Sequence, residues 1–269
     1  MSVHEKIPAE RIQALSDFIK ERGNVSIADI SRQFEVSPAT ARRDLAELAR
    51  EGLIQRTHGG ATALLTVSES EKEYLEKSRI EQEAKCAIGR CAASFVKEGQ
   101  TVLLDSGTTA FQIAKSLAGI KNLTIITNDL FLAANIEFAP STTLVVTGGI
   151  KRTGQNVLIG EYAEAFFKNL IRVDVAFLMA DAVEPEKGIT NAGFYEVSVK
   201  KSIIEIGKRV ILCADSTKIG NTLAFKVCDM DQVDLFITDS RITSEQREKL
   251  ELAGIPLECV NISPKQTEH

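Results

Sequence analysis

The sequence predicts a two-part α/β chain: an N-terminal helical module with a short β-wing, then a larger domain on a mostly parallel sheet. Three observations predict it. Between residues 9 and 52 apolar residues recur at three- and four-residue spacing, the period of helices that bury one face. From residue 101 onward, continuous apolar runs of strand length alternate with helical stretches, the pattern of strands covered on both faces. Between these regions, residues 62–82 are polar and strongly charged after Leu65, which reads as a linker or an exposed connecting helix.

Bulk composition limits the function classes. The chain has 269 residues, 44% hydrophobic and 26% charged, enough apolar material for a real core. No apolar run approaches the roughly 18 residues that cross a bilayer. The opening MSVHEKIPAE is charged and lacks an apolar signal segment, so a cytoplasmic location without a membrane partner is expected. Cys86, Cys91, Cys213, Cys228 and Cys259 form no CxxC pair and read as reduced thiols. The histidines are His4, His58 and His269, which leaves residues 59–268 without a His base or ligand. That argues against zinc chemistry and a Ser-His-Asp triad there, and no cofactor, metal or catalytic residue is expected. The net charge of −5 comes entirely from beyond residue 60, because residues 1–60 carry nine basic and nine acidic side chains. Bulk charge therefore decides nothing about nucleic acid. The placement of individual arginines does, since salt screens beyond about 10 Å.

In the N-terminal module, Ile12, Leu15, Phe18 and Ile19 define a first helix over 9–22, ended by Gly23-Asn24. Ser26 is a fitting N-cap with Asp29 three residues on, and Ile27, Ile30 and Phe34 face inward from a second helix. After Glu35-Val36, Ser37-Pro38 opens a third helix with Ala41, Leu45 and Leu48 inward, running to Gly52. Two helices joined by so short a connection form a helix-turn-helix. Its outward face carries Thr40, Arg42 and Arg43, groups that bond base edges and phosphates in a major groove. The stretch from Leu53 to Ala61 reads as a strand and glycine turn, with Arg56, His58, Gly59 and Gly60 at a wing. By periodicity alone, a plain three-helix bundle with a solvated arginine face fits equally well.

The wording of VSIADISRQFEVSPATARRDLAELAREGLIQRTHGGA separates these readings, because it closely resembles the DeoR family of transcriptional regulators. There V-S-x-x-T-x-R-R-D-L precedes a G-L-I-x-R-x-H-G-G-A wing. Ala41 departs from the family's large aliphatic residue, which concerns packing. The resemblance implies double-stranded operator DNA as a partner, with Ser26, Ser37, Pro38, Thr40, Arg42, Arg43, Arg56, His58, Gly59 and Gly60 as the DNA-binding set.

In the second domain, strands are expected at 101–105, 123–127, 143–147, 173–180, 209–214 and 233–238. Ligands of such sheets bind at the strands' carboxyl ends. Those ends carry Asp105-Ser106-Gly107-Thr108-Thr109, Thr127-Asn128-Asp129, Thr147-Gly148-Gly149, Ala180-Asp181 and Asp215-Ser216-Thr217-Lys218. A glycine-containing, hydroxyl-rich turn entering a helix suits a phosphate. Any one of these is commonly an ordinary turn; together they favour a pocket for a small phosphorylated, hydroxylated molecule. DSGTT, TND, TGG, the AD pair, GIT followed by Glu196, and ADSTKIG stand in the order of the DeoR-type sensor domain, which is similar to ribose-phosphate isomerases. The resemblance, covering roughly residues 9–260, implies a phosphorylated sugar effector. Ser106, Gly107, Thr108 and Thr109 would surround the phosphate; Asp181, Glu196 and Lys218 would surround the sugar. Asp105, Asn128, Gly148, Gly149 and Thr190 complete the expected effector set. Met179-Ala180-Asp181-Ala182 departs from the family's G-A-D-G.

The expected organisation is therefore 1–61 winged helix-turn-helix, 62–82 linker, 83–261 effector-sensing α/β domain and 262–269 tail. The expected function is a repressor of a carbohydrate-use operon, acting as a homo-oligomer (dimer or tetramer) and released or recruited by a sugar phosphate. A fused sugar-phosphate isomerase is the rival, with Asp181, Glu196 and Lys187 or Lys218 as its base and enediolate groups. The doubled acidic motif and lysine-glycine loop of those isomerases are absent, and Lys187-Gly188 is only a fragment of the latter. A second rival, a third helix that contacts a protein, is separable by salt dependence.

Overall fold

The computed structural model describes residues 8–50, 54–57, 59–63, 69–151 and 155–262. His58, Gly52, Leu53 and the end of the expected tail, 263–269, lie outside the described residues. The chain divides into two compact units, Met1–Ser68 and Glu69–His269.

The first unit holds α1 (Pro8–Arg22), β1 (Asn24–Ser26), α2 (Ile27–Phe34), α3 (Pro38–Arg50), β2 (Ile54–Thr57) and β3 (Gly60–Ala63). Leu15, Ile19, Ile30, Ala41, Leu45 and Leu48 close one core with Val25, Ile54 and Ala61. The Ser26–Asp29 capping box starts α2, and Glu35 in the left-handed conformation ends it. β3 pairs antiparallel with both β1 and β2, so the wing is a three-stranded sheet.

The second unit begins with α4 (Glu69–Arg79) and α5 (Gln82–Ala93), then β4 (Thr101–Leu104), α6 (Thr108–Leu117), β5 (Thr124–Thr127), α7 (Leu130–Asn135) and β6 (Thr143–Val146). A small hairpin follows, β7 (Ile150–Lys151) and β8 (Leu158–Ile159), then α8 (Glu161–Lys168) and β9 (Val175–Met179). Next come β10 (Ala182–Glu184), β11 (Gly188–Asn191), α9 (Val197–Ile206), β12 (Val210–Cys213) and β13 (Phe225–Cys228). The unit ends with β14 (Leu235–Asp239), α10 (Ser244–Leu252) and β15 (Leu257–Val260).

Seven of these strands form one sheet in the order β15-β14-β12-β9-β4-β5-β6, with every pairing parallel. Successive residues of a strand serve opposite faces, as the pleat requires. Leu103 packs with Ala163, Phe167, Val199 and Ile203 of α8 and α9. Val102 and Leu104 pack with Ile88, Ile113 and Leu117 of α5 and α6. The chain runs outward from β4 to β5 and β6, then returns to place β9 on the other side of β4. That reversal makes the carboxyl ends of β4 and β9 a topological switch point, the place where the crevice that takes ligands lies in such sheets.

Two features depart from the sequence reading. β15 adds a seventh strand to the six expected. β10, β11 and β13 form a separate antiparallel sheet, which strands this short did not announce. The segment 62–82, expected as a linker or an exposed connecting helix, holds described residues of both units. Thr62 and Ala63 belong to β3, α4 lies in the second unit, and α5 starts at Gln82. Among the described residues, no helix is long and apolar enough to cross a membrane.

Candidate functional site

On α3 the apolar residues Ala41, Leu45 and Leu48 are buried, which turns Arg42 and Arg43 outward and leaves both exposed. Pro38, at the first helical position, and Ser37 before it are exposed too. The Ser37 hydroxyl accepts from the Thr40 backbone N–H at 3.1 Å and lies 2.9 Å from the Thr40 hydroxyl. It caps the helix, and the pair remains on the surface. Asp44, next to the two arginines, turns inward and is buried against Arg11, which donates to both its oxygens at 2.9 and 3.3 Å. The aspartate of the R-R-D-L run therefore fastens α3 to α1.

On the wing, Arg56 and Gly59 are exposed, as a phosphate- or groove-facing element requires. Two members of the expected DNA-binding set serve the fold instead. The Ser26 hydroxyl donates to Asp29 at 2.6 Å and accepts from the Asp29 N–H at 3.1 Å. Gly60 is buried where β3 crosses β1; a Cβ there would stand 1.9 Å from the Val25 carbonyl oxygen. Glycine at this position is required by the close approach of two strands.

In the second unit the crevice between β4 and β9 is built around a buried ion pair. Asp105, at the end of β4, accepts from the Met179 N–H at 3.0 Å and the Ser106 N–H at 2.8 Å. Its third partner is Lys200, one turn into α9, which also donates to the Met179 carbonyl at 3.0 Å. Lys200 is 2% exposed and Asp105 1%. Burial pulls the ammonium down, but Asp105, Glu196 and Asp181 outweigh it and leave Lys200 above its ordinary value. Glu196, four residues earlier, is raised as well, which for a carboxyl is a move toward neutrality: burial lifts it, Lys200 opposes, and Asp105 and Asp181 add to the rise. Asn191 donates to Glu196 at 3.4 Å, and its own buried side-chain oxygen has no partner.

The Asp105–Thr109 turn enters α6 with Gly107 at φ 122, a conformation open to glycine. No side chain caps this helix at Gly107, so the N–H groups of its first turn are left without a side-chain acceptor at the positive end of the helix. The Gly107 N–H is the exception, since it donates to Asp129 at 2.9 Å. Asp129 also accepts from Phe131 and Leu132, and thereby caps α7. Burial raises its pKa despite these bonds. Ser106 and Thr109 are buried and Thr108 half-buried around the turn.

The remaining expected residues separate into groups. Asp181 is exposed and accepts from the Ala192 N–H at 3.1 Å, and it belongs with Asp105 and Glu196 electrostatically. Asn128 is buried, donates to Leu158 O at 3.2 Å, and keeps an unpartnered side-chain oxygen. Lys218 lies half-buried in the turn capped by Asp215, within the electrostatic environment of Lys85. Thr190 departs from the expectation: its hydroxyl accepts from the Leu223 N–H at 2.9 Å and ties β11 to a neighbouring loop. Gly149, at φ 145, makes room for the β7–β8 hairpin, where a Cβ would stand 3.0 Å from Ile159 O. Gly148 is exposed beside Tyr162.

Lys200, Asp129, Lys85 and Tyr74 were not in the expected set. Lys200 had a readable signal: it continues the inward row Glu196, Lys200, Ile203 at helical spacing, a charge in an apolar stripe. Tyr74 had none, because it stands within a charged segment. A groove of about 640 Å³ lined by Lys201, Glu205, Lys226 and Cys228 also exists, but shares no residue with the crevice.

Two family models match the chain: a DeoR-like helix-turn-helix domain over residues 11–67 and a DeoR C-terminal sensor domain over residues 80–240. The HTH-type transcriptional regulator GolR of Listeria innocua is 31% identical over 250 residues, 93% of this chain and 98% of that protein. The glycerol-3-phosphate regulon repressor of Escherichia coli is 31% identical over 231 residues, 86% of this chain and 90% of that protein. Among solved structures, ribose 5-phosphate isomerase A of Neisseria gonorrhoeae matches at TM-score 0.36 and 16% identity. That match covers 52% of this chain and 54% of the isomerase, a likeness too remote to bear on the site.

Proposed function

We infer what this chain does from the family to which it belongs: it is a DeoR-type transcriptional regulator. In our reading it represses a carbohydrate-use operon by holding operator DNA through α3 and the wing, and a phosphorylated sugar changes that hold. The glycerol-3-phosphate repressor among its relatives supports the effector class. The observation that carries the reading is the crevice at the sheet's reversal point. There an uncapped helix N-terminus stands beside polar groups suited to hydroxyls, among them Glu196 and Asn191. Arg42, Arg43, Arg56 and Thr40 contact the DNA, with the exposed Ser37 and Pro38 at the start of α3 and Gly59 on the wing. Ser26 and Gly60 contribute by holding those elements in place.

A homo-oligomer is part of the proposal, because one winged module buries too little surface for tight specific binding and operators repeat half-sites. DNA as partner places the protein in the cytoplasm. A thermal-shift screen of the full chain against sugar phosphates, followed by operator binding with each hit, tests the reading. The expected result is a hit that raises the melting temperature and changes operator affinity. Stabilising hits that leave operator affinity untouched would overturn it.

A further inference from the structure

Among the described side chains of α4, Tyr74 packs on the helices that flank the effector turn. Tyr74 stacks on Phe131 with ring centroids 4.1 Å apart and meets Phe111 edge-on at 6.1 Å, while Phe111 and Phe131 lie 5.5 Å from each other. Phe111 belongs to α6 and Phe131 to α7, the two helices that start at the crevice. The Tyr74 hydroxyl donates to the Gly107 carbonyl at 3.4 Å. Leu75, Glu76, Lys77 and Arg79 of the same helix are exposed, and Leu75 and Ile80 show 42% and 61% of their surface to solvent. At its far end the buried Lys85 ammonium holds the Lys77 and Ile80 carbonyls at 2.6 and 2.7 Å. Such exposure among the described side chains of α4 is a mark of the low-stability end of a fold.

We propose that Tyr74 is a positioning residue that couples the effector turn to α4, so that filling the turn tightens the docking of α4. The proposal rests on the effector reading given above. Its physical basis is one peptide unit. The Gly107 carbonyl and the Thr108 N–H share it, and the Thr108 N–H is the first orphan donor of α6. A phosphate oxygen that accepts from that N–H polarises the unit and makes the carbonyl a stronger acceptor. The Gly107 carbonyl already accepts from the Phe111 N–H at 3.0 Å, and Tyr74 takes its second lone pair. At 3.4 Å the Tyr74 bond is long for an O–H donor, which leaves it room to shorten. Asp129, holding the Gly107 N–H, fixes the turn from the other side. Burial, with the Asp129 charge nearby, keeps the phenol far above its ordinary pKa and therefore a donor.

The sequence position of α4 gives the coupling its use. Glu69 directly follows Ser68, the last residue of the N-terminal unit, so α4 is the first element of the C-terminal unit after the boundary. By linkage, docking of α4 strengthens effector binding by the factor with which effector strengthens docking.

The test is hydrogen exchange on the full chain and on Tyr74→Phe, which keeps the ring and removes the hydroxyl. The probes are ribose 5-phosphate, fructose 1-phosphate, glycerol 3-phosphate and inorganic phosphate, first ranked by thermal shift. In the wild type, a saturating stabilising probe should slow exchange of the α4 amides about tenfold or more. In Tyr74→Phe that slowing should fall below about threefold, with the probe bound no more than about tenfold weaker. Unchanged α4 exchange in the wild type, or a Tyr74→Phe response equal to the wild type's, overturns the coupling alone. A wild-type chain stabilised by none of the probes overturns the effector reading and the coupling with it.

Discussion

In the N-terminal unit Arg42, Arg43 and Arg56 stand exposed on α3 and β2, whereas in the C-terminal unit Asp105, Lys200 and Asp129 are buried and bonded to one another or to backbone. In the reading proposed above, the difference follows from what each unit handles. A polyanion is met from outside by side chains that remain solvated until contact, at little cost to the fold. A small ligand is enclosed by groups whose desolvation the fold must offset in advance, so its site is also part of the domain's stability. Substitutions in the two regions should therefore separate, with binding lost and stability kept in the first, and both affected in the second.

The largest expected effect is at Lys200. Lys200→Met leaves Asp105 buried without its counter-charge and should cost about 3–5 kcal/mol of stability in urea unfolding. The double variant Asp105→Asn/Lys200→Met should recover most of that loss, because the pair is then removed together. A single variant within about 1 kcal/mol of the wild type would break the comparison, since the threshold is well below the range expected for an orphaned buried charge.

Arg11 is the place where the N-terminal unit behaves like the other one. Its fork holds the buried Asp44, and Asp44 keeps the guanidinium above its ordinary value through that hydrogen bond. Arg11→Ala should cost about 1.5–3 kcal/mol, the range for hydrogen bonds to a charged group, and be read as a lower urea midpoint. Arg42→Ala and Arg43→Ala, two residues and one residue from Asp44, should stay within about 0.5 kcal/mol of the wild type's stability. Each should instead weaken operator binding by about 1–3 kcal/mol, or flatten its salt dependence by about one ion where the contact is a phosphate. Titrations at several salt concentrations distinguish the two. Operator affinity unchanged in both variants removes α3 as the reading helix.

The same contrast explains what the sequence disclosed. The N-terminal module was legible down to single residues because its apolar period, caps and turn sit within one short span. The Ser26–Asp29 capping box and the inward Ala41, Leu45 and Leu48 all lie where spacing put them. Spacing read Ser26 as a cap and the family resemblance placed it in the DNA-binding set as well, since a capping hydroxyl and a phosphate-binding one have the same letter. In the C-terminal unit the parallel strands were visible as apolar runs, and their polar ends marked the edge on which to look. Which ends meet depends on strand order, a non-local property that places β9 beside β4 across a stretch of some seventy residues. Lys200 reaches Asp105 over 95 positions, and Tyr74 reaches Gly107 from a segment whose charge hides it.

The smallest effect is one of pH, and its sign differs between the units. Burial holds the Glu196 carboxyl above the usual carboxylate range, so the folded chain binds that proton more tightly than the unfolded one. The associated stability is fully present below the unfolded carboxyl's pKa and is lost as pH rises through the higher folded value. Glu196→Gln has no proton to lose, so it should gain on the wild type in urea unfolding as pH is raised above about 4, and stay level once the folded carboxyl has ionised. Asp129, raised by burial as well, contributes equally to both proteins and drops out of the difference. Asp29 in the first unit has the opposite sign. The Ser26 hydroxyl and N–H hold it below its ordinary value, so its stabilisation is present above the unfolded pKa and lost as pH falls. Asp29→Asn should therefore lose least against the wild type at the acid end, where Glu196→Gln has gained least. Parallel pH profiles for the two variants would show that burial does not separate the carboxylates of the two units.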